Sequence, residues 1–233
     1  MSDDTKPRLS RRRVLKWSGL TLAALAAGGI GWQFRPVVEA QFPEIALSDA
    51  EPGRLKLLIV YGSKLGSTGE QAVWMGETAA MAGFAVQVAR AENAPPADAF
   101  DAVIVGSAIR SSKWLPEVID WVAVNRDALA AKPAALFEAC MTVAGIIEST
   151  PDHRLGPAHL ASLAEHLAGV HAAAPALKSA PAAFLPGCLD YEKMSPMLRV
   201  GFPIATGRLS SGDFRDKDMV RGFTESAIAG FAA

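Results

Sequence analysis

Residues 62–69 read Gly62, Ser63, Lys64, Leu65, Gly66, Ser67, Thr68 and Gly69, directly after an apolar run. Three glycines and three hydroxyl residues in eight positions are the materials of an anion cradle. Small residues let backbone N–H groups converge, hydroxyls add donors, and a helix starting near Thr68 presents its positive end. The dinucleotide spacing GxGxxG and the Walker A spacing GxxxxGK[ST] are both absent. What remains is a hydroxyl-rich loop for a monophosphate. The alternative is a Ser/Gly-rich turn that caps a helix and holds no ligand.

Other chemistry-bearing residues are sparse. The two cysteines, Cys140 and Cys188, have no metal spacing and make no disulfide framework. Cys140 ends an apolar run and reads as a small buried hydrophobe. His153, His159, His166 and His171 cluster within nineteen residues, but no carboxylate pattern accompanies them, and no metal site is expected.

The elements that must position the loop follow from periodicity. Segment 55–62 is a continuous apolar run, the mark of a strand buried on both faces. Residues 68–82 have helical spacing and stop at Gly83. Strands are expected at 84–89, 102–108, 133–142 and 182–189, and helices at 115–129, 157–169 and 215–231, with Pro116 at a helix start. Strand–helix alternation implies an α/β fold with parallel strands and right-handed crossovers. Ligands of such sheets sit beyond the carboxyl ends of the strands. The loops leaving those ends are 62–69, 106–114 and 138–150.

The stretch from Tyr61 to Glu70 resembles the FMN phosphate loop of flavodoxins, with Ser63, Gly66, Ser67 and Thr68 matching by type and Leu65 standing where a hydroxyl is common. The resemblance implies a five-stranded parallel sheet of order 2-1-3-4-5 with helices on both faces, and FMN as cofactor. It assigns the phosphate to Ser63, Lys64, Leu65, Gly66, Ser67 and Thr68. It lays Ser107, Ala108, Ile109 and Arg110 along the flavin ring, with Arg110 offering charge near its N1 edge. Glu138, Ala139, Cys140, Met141 and Thr142 then approach the ring or ribityl chain as a segment. Ser107 to Pro116, Gly187 to Tyr191 and Gly212 to Asp216 further resemble the branch containing the quinone-linked protoporphyrinogen IX dehydrogenase. That branch implies a quinone or redox-protein partner and a porphyrinogen substrate. The alternatives are a plain electron carrier and a flavin-free binding domain. Gly212 to Asp216 also reads as a helix N-terminus with acidic residues in its first turn.

The head differs from the body. Residues 1–35 carry a charge of +5, which leaves −6 on the rest of a chain whose total is −1. A mildly acidic body argues against nucleic acid as partner. Ser10 to Lys16 resembles a twin-arginine export signal, and Trp17 to Trp32 carries no charge. Sixteen helical residues reach about 24 Å, short of a ~30 Å hydrocarbon core, so a cleavable signal and a retained membrane anchor both remain open. Either keeps the arginines in the cytoplasm and sends the body to the extracytoplasmic side. The expected organisation is 1–40 signal or anchor, 41–54 linker and 55–233 FMN-binding domain. Haem synthesis at the protoporphyrinogen step is expected on the cytoplasmic side, so the head sets this chain apart from that activity.

Overall fold

The computed structural model describes residues 35–47, 53–206 and 211–231. The basic, apolar head lies outside them. The described elements are β1 (Ile45–Leu47), β2 (Lys56–Gly62), α1 (Ser67–Met81), β3 (Ala85–Arg90), β4 (Ala102–Arg110), β5 (Lys113–Trp114), α2 (Pro116–Val124), α3 (Arg126–Ala130), β6 (Ala134–Cys140), α4 (Met141–Ser149), α5 (Pro157–Ala164), α6 (Ala168–Ala173), β7 (Ala182–Pro186), β8 (Cys188–Leu189), α7 (Pro196–Thr206), β9 (Gly212–Asp213) and α8 (Lys217–Phe231). Of the described residues, 39–47, 53–190 and 211–231 belong to one compact unit, and 35–38 and 191–206 to a second.

In the larger unit the sheet runs β1-β3-β2-β4-β6-β7. The five strands β3-β2-β4-β6-β7 are all parallel and follow the expected 2-1-3-4-5 order, while β1 adds an antiparallel edge beside β3. The stretch 41–54, read as a linker, therefore supplies a strand. Alternating side chains explain the layers. Leu57, Ile59, Tyr61, Ile104 and Phe137 pack with Met75 of α1 and Val220 and Ile228 of α8. Leu58, Val60, Val103, Val105 and Leu136 pack with Val118 and Trp121 of α2 and Val170 of α6. Each fully buried side chain of this size contributes roughly 2 kcal/mol by leaving water. Register brings Gly62, Ser107 and Glu138 into one row across the sheet, so the three loops start side by side.

Several boundaries differ from the periodicity. The helix expected over 115–129 divides at Asn125, whose buried side chain accepts from Ala97 N (2.8 Å) and donates to Trp121 O (2.9 Å). The strand expected over 182–189 stops at Pro186, which has no N–H for the ladder. The helix expected over 157–169 is split by a 3₁₀ turn, Glu165–Leu167. The loop 138–150 folds as α4, and β4 continues to Arg110.

In the smaller unit Arg199, 2% exposed, donates to the carbonyls of Tyr191 (2.8 Å), Glu192 (2.6 Å), Arg35 (2.8 Å) and Pro36 (3.2 Å). Its helix α7 exposes Met197, Leu198, Val200 and Ile204. No helix among the described residues is long and apolar enough to cross a membrane.

Candidate functional site

The first loop turns on Gly66 at φ +89°, a conformation that favours glycine. Ser63 is buried and its Oγ accepts from Gly66 N at 2.9 Å, which shapes the turn from inside. The helix that follows has no side-chain cap. Its first-turn N–H groups lack intrahelical acceptors by geometry. Beside them Thr68 is fully buried, and its Oγ1 has no hydrogen-bond partner. Native structures rarely leave such an atom unpaired, so the loop holds unspent donor capacity at the start of α1. Leu65 and Ser67 stand at its rim; Leu65 is half-buried or deeper, as is Ser67.

The charges around this loop are already balanced. Lys64 does not turn inward; its Nζ donates to Glu117 Oε1 at 2.6 Å, on the first turn of α2. Burial pushes the Glu117 carboxyl up, but the Lys64 bond and a backbone bond outweigh it and leave the group below its ordinary range. Arg215 braces the start of α1, donating to Asp213 (2.7 Å), Glu70 (2.8 Å) and the Ser67 carbonyl (3.4 Å). Those bonds, led by Asp213, raise its pKa against the opposing effect of burial. Asp216 caps α8 through bonds from the Asp218 and Met219 amides. The 212–216 stretch is thus a helix start that also supports the loop.

A strap crosses the same end. The Gln41 carbonyl abuts Gly66 where a Cβ would stand. Pro43 O accepts from Tyr61 Oη (3.0 Å), Phe42 lies under the Arg90 guanidinium (4.1 Å), and Glu44 accepts from Arg90 N (3.1 Å). Apart from the apolar Ile45–Leu47, nothing in the residue pattern announces this strap.

The second loop is a two-residue β-hairpin. Ser111 and Ser112 both have positive φ (50° and 58°), the backbone of a type I′ turn. Ser107 is buried; its hydroxyl donates to Ala108 O (2.8 Å) and accepts from Leu115 N (2.9 Å), so it is spent holding the hairpin. Ala108 and Ile109 are half-buried and Arg110 is exposed.

In the third loop Ala139 is buried, Met141 half-buried and Thr142 exposed. Glu138 and Cys140 are turned into the layer beneath. His166, from the 3₁₀ turn, lies with Nδ1 2.9 Å from Glu138 Oε1. Glu138 is fully buried, and Oε2 has no partner. Burial raises the Glu138 carboxyl above its usual range, and the His166 bond and the nearby Trp114 indole offset this only in part. Burial also raises the Cys140 thiol, against the Thr142 N–H that its Sγ accepts at 3.3 Å. Sequence reasoning missed this grouping because 28 positions separate Glu138 from His166. A cavity of about 370 Å³, lined by Lys132, Pro133, Pro181 and Phe231 among others, lies at the amino ends of the strands, away from all three loops.

The profile of a family described as "Flavodoxin domain" matches residues 58–200, from β2 into α7. No match was found among curated protein sequences. Among solved structures, oxidised Flavodoxin 1 from Bacillus cereus is 14% identical, with 75% of this chain and 97% of that chain covered and a TM-score of 0.45. A short-chain flavodoxin associated with a non-canonical PDU bacterial microcompartment is 11% identical (76% and 98% covered, TM-score 0.46). The rubredoxin oxygen:oxidoreductase of Desulfovibrio gigas is 16% identical, with 76% of this chain but 37% of that chain covered (TM-score 0.41).

Proposed function

The chain belongs to the flavodoxin-domain family, and from that premise we propose that it is an FMN-binding redox protein whose first loop holds the cofactor's phosphate. The observation that carries this reading is Thr68 Oγ1, buried and unpartnered at the uncapped N-terminus of α1. The residues fit a phosphate: an anion there would accept from that hydroxyl and from the first-turn amides. Ser63 would act by holding Gly66, and Lys64 by locking the rim to Glu117. Binding would then rest on neutral donors. Bound FMN would supply one- and two-electron redox chemistry. The hairpin Ala108 to Arg110 and the exposed start of α4 at Thr142 would flank the ring. The test is the visible spectrum of the purified full chain, with release and identification of the pigment. A colourless protein that does not take up added FMN would overturn the reading.

Two readings of the electron partner are open to test. A quinone-linked dehydrogenase is supported by the likeness of Gly187 to Tyr191 and Gly212 to Asp216 to that branch and by the apolar residues that α7 exposes, with protoporphyrinogen as its test substrate, since an extracytoplasmic body weighs against protoporphyrinogen as the substrate in the cell. An electron carrier serving a protein partner is the second reading. Anaerobic oxidation of protoporphyrinogen with a quinone separates them, since only the first turns over substrate.

We read the head as a retained membrane anchor that leaves the body extracytoplasmic. Arg199 is bonded to the carbonyls of Arg35 and Pro36, and cleavage after Ala40 would remove both acceptors. The intact mass of the membrane-extracted protein decides this. A species starting at Gln41 would mean a cleaved signal.

A further inference from the structure

We propose that Glu138, Cys140 and His166 form a binding site for a divalent transition-metal ion, with zinc the best match. This does not depend on flavin binding. Glu138 and Cys140 are two apart on β6 and so share one face of the strand. His166 reaches them from the 3₁₀ turn between α5 and α6. One carboxylate oxygen, the thiol sulfur and one ring nitrogen all lie within 4.8 Å of one another.

Three features separate this from an ordinary core contact. First, Glu138 is fully buried and its Oε2 has no close hydrogen bond, with the neutral Trp114 indole near the carboxylate, and a carboxylate in that position is costly unless a cation meets it. Second, the one close side-chain partner of that carboxylate among the described residues is His166, a single imidazole that meets Oε1 alone. Third, Cys140 stands at the N-terminus of the nine-residue helix α4, and its Sγ already accepts the Thr142 N–H. Burial holds that thiol protonated without a metal, so binding an ion would release its proton to make the thiolate ligand.

A divalent ion supplies the two positive charges that a carboxylate and a thiolate require. A mixed oxygen, sulfur and nitrogen set suits zinc better than magnesium or calcium, which take oxygen ligands. Tetrahedral zinc holds such donors about 3.5 Å apart, so the cluster must draw in by side-chain rotation, with His166 exchanging its bond to Glu138 for the metal. Three protein ligands leave a fourth position for water or another small ligand, the pattern of zinc sites that do chemistry. His166, with a side chain 10% exposed, marks the way in.

The test uses the full chain without a polyhistidine tag, purified with and without chelator. Metal content is measured by elemental analysis, and the chelated protein is titrated with cobalt(II) while its absorbance is followed. We expect one zinc per chain, and a cobalt spectrum with a thiolate charge-transfer band that Cys140→Ser abolishes. Zinc affinity should fall at least about tenfold in His166→Ala. Flavin absorbance on the same samples reports the first loop separately. Two outcomes overturn the proposal: a folded wild-type chain that retains no zinc and gives no cobalt–thiolate band, or bound metal indifferent to both substitutions.

Discussion

Gly62 and Glu138 stand in the same row of the sheet with one strand between them, yet the loops they open are built on opposite terms. The first loop keeps its charges at the rim, in the pairs Lys64–Glu117 and Arg215 with Glu70 and Asp213, and lines its interior with neutral donors. The end of β6 buries a carboxylate, a thiol and an imidazole with little to neutralise them. Charge drives this division. An anion is welcome where amides and hydroxyls are unspent, and repelled where a carboxylate is already buried. A cation has the reverse preference. A single sheet edge can therefore hold a phosphate at one strand and invite a metal ion two strands away.

The largest test of this contrast is His166→Ala in chelator. It removes the closest partner of the buried Glu138 carboxyl and should cost about 3 kcal/mol in chemical denaturation. Lys64→Ala, which breaks a pair half open to water, should cost under about 1 kcal/mol. Equal losses would erase the distinction between a dry cluster and a wet rim. Next is Gly66→Ala. Its φ of +89° and the abutting Gln41 carbonyl together imply about 2 kcal/mol of destabilisation, with a parallel fall in retained flavin. An unchanged denaturation midpoint in this variant would mean the strap is not held against the turn.

Thr68→Val isolates the donor itself. The substitution removes a hydroxyl that has no partner and keeps the volume, so stability should hold or rise slightly. FMN affinity should drop about tenfold, the worth of one hydrogen bond to a charged group. Unchanged affinity with unchanged stability would move the phosphate elsewhere and leave the first loop as a structural turn.

Much of the frame was legible because it depends on local pattern. Five apolar runs separated by helical periodicities point to the parallel sheet, and a strand exit rich in Gly, Ser and Thr stands out in one dimension. Lys64 illustrates what was not legible. Its place in the loop suggests phosphate, but its partner Glu117 is 53 positions away on α2. The same limit hid His166 from Glu138, and Gln41 from Gly66. The resemblance lays Ser107 along the flavin ring, yet its hydroxyl is engaged by Leu115 N within the hairpin, an outcome that only the turn at Ser111 and Ser112 decides. Sequence names the donors; the fold determines which are still unspent.

The smallest effect belongs to Glu117, and its sign is what matters. Burial raises its pKa, but the Lys64 and backbone bonds outweigh burial and leave the folded value below the unfolded one of about 4.3. The native state therefore binds fewer protons, and the stabilisation is complete above the unfolded pKa and lost as pH falls through the folded one. Unfolding free energies of wild type and Glu117→Gln from urea titration should differ by under about 1 kcal/mol at pH 7 and converge as the solution is acidified below about pH 4. High salt should shrink the gap at neutral pH, since half of the Lys64 side chain is exposed. The loss in His166→Ala should be nearly indifferent to salt, because Glu138 is dry. A Glu117 gap that widened in acid, or a His166 effect that melted away with salt, would mean that charge is not partitioned between the two loops as their geometry requires.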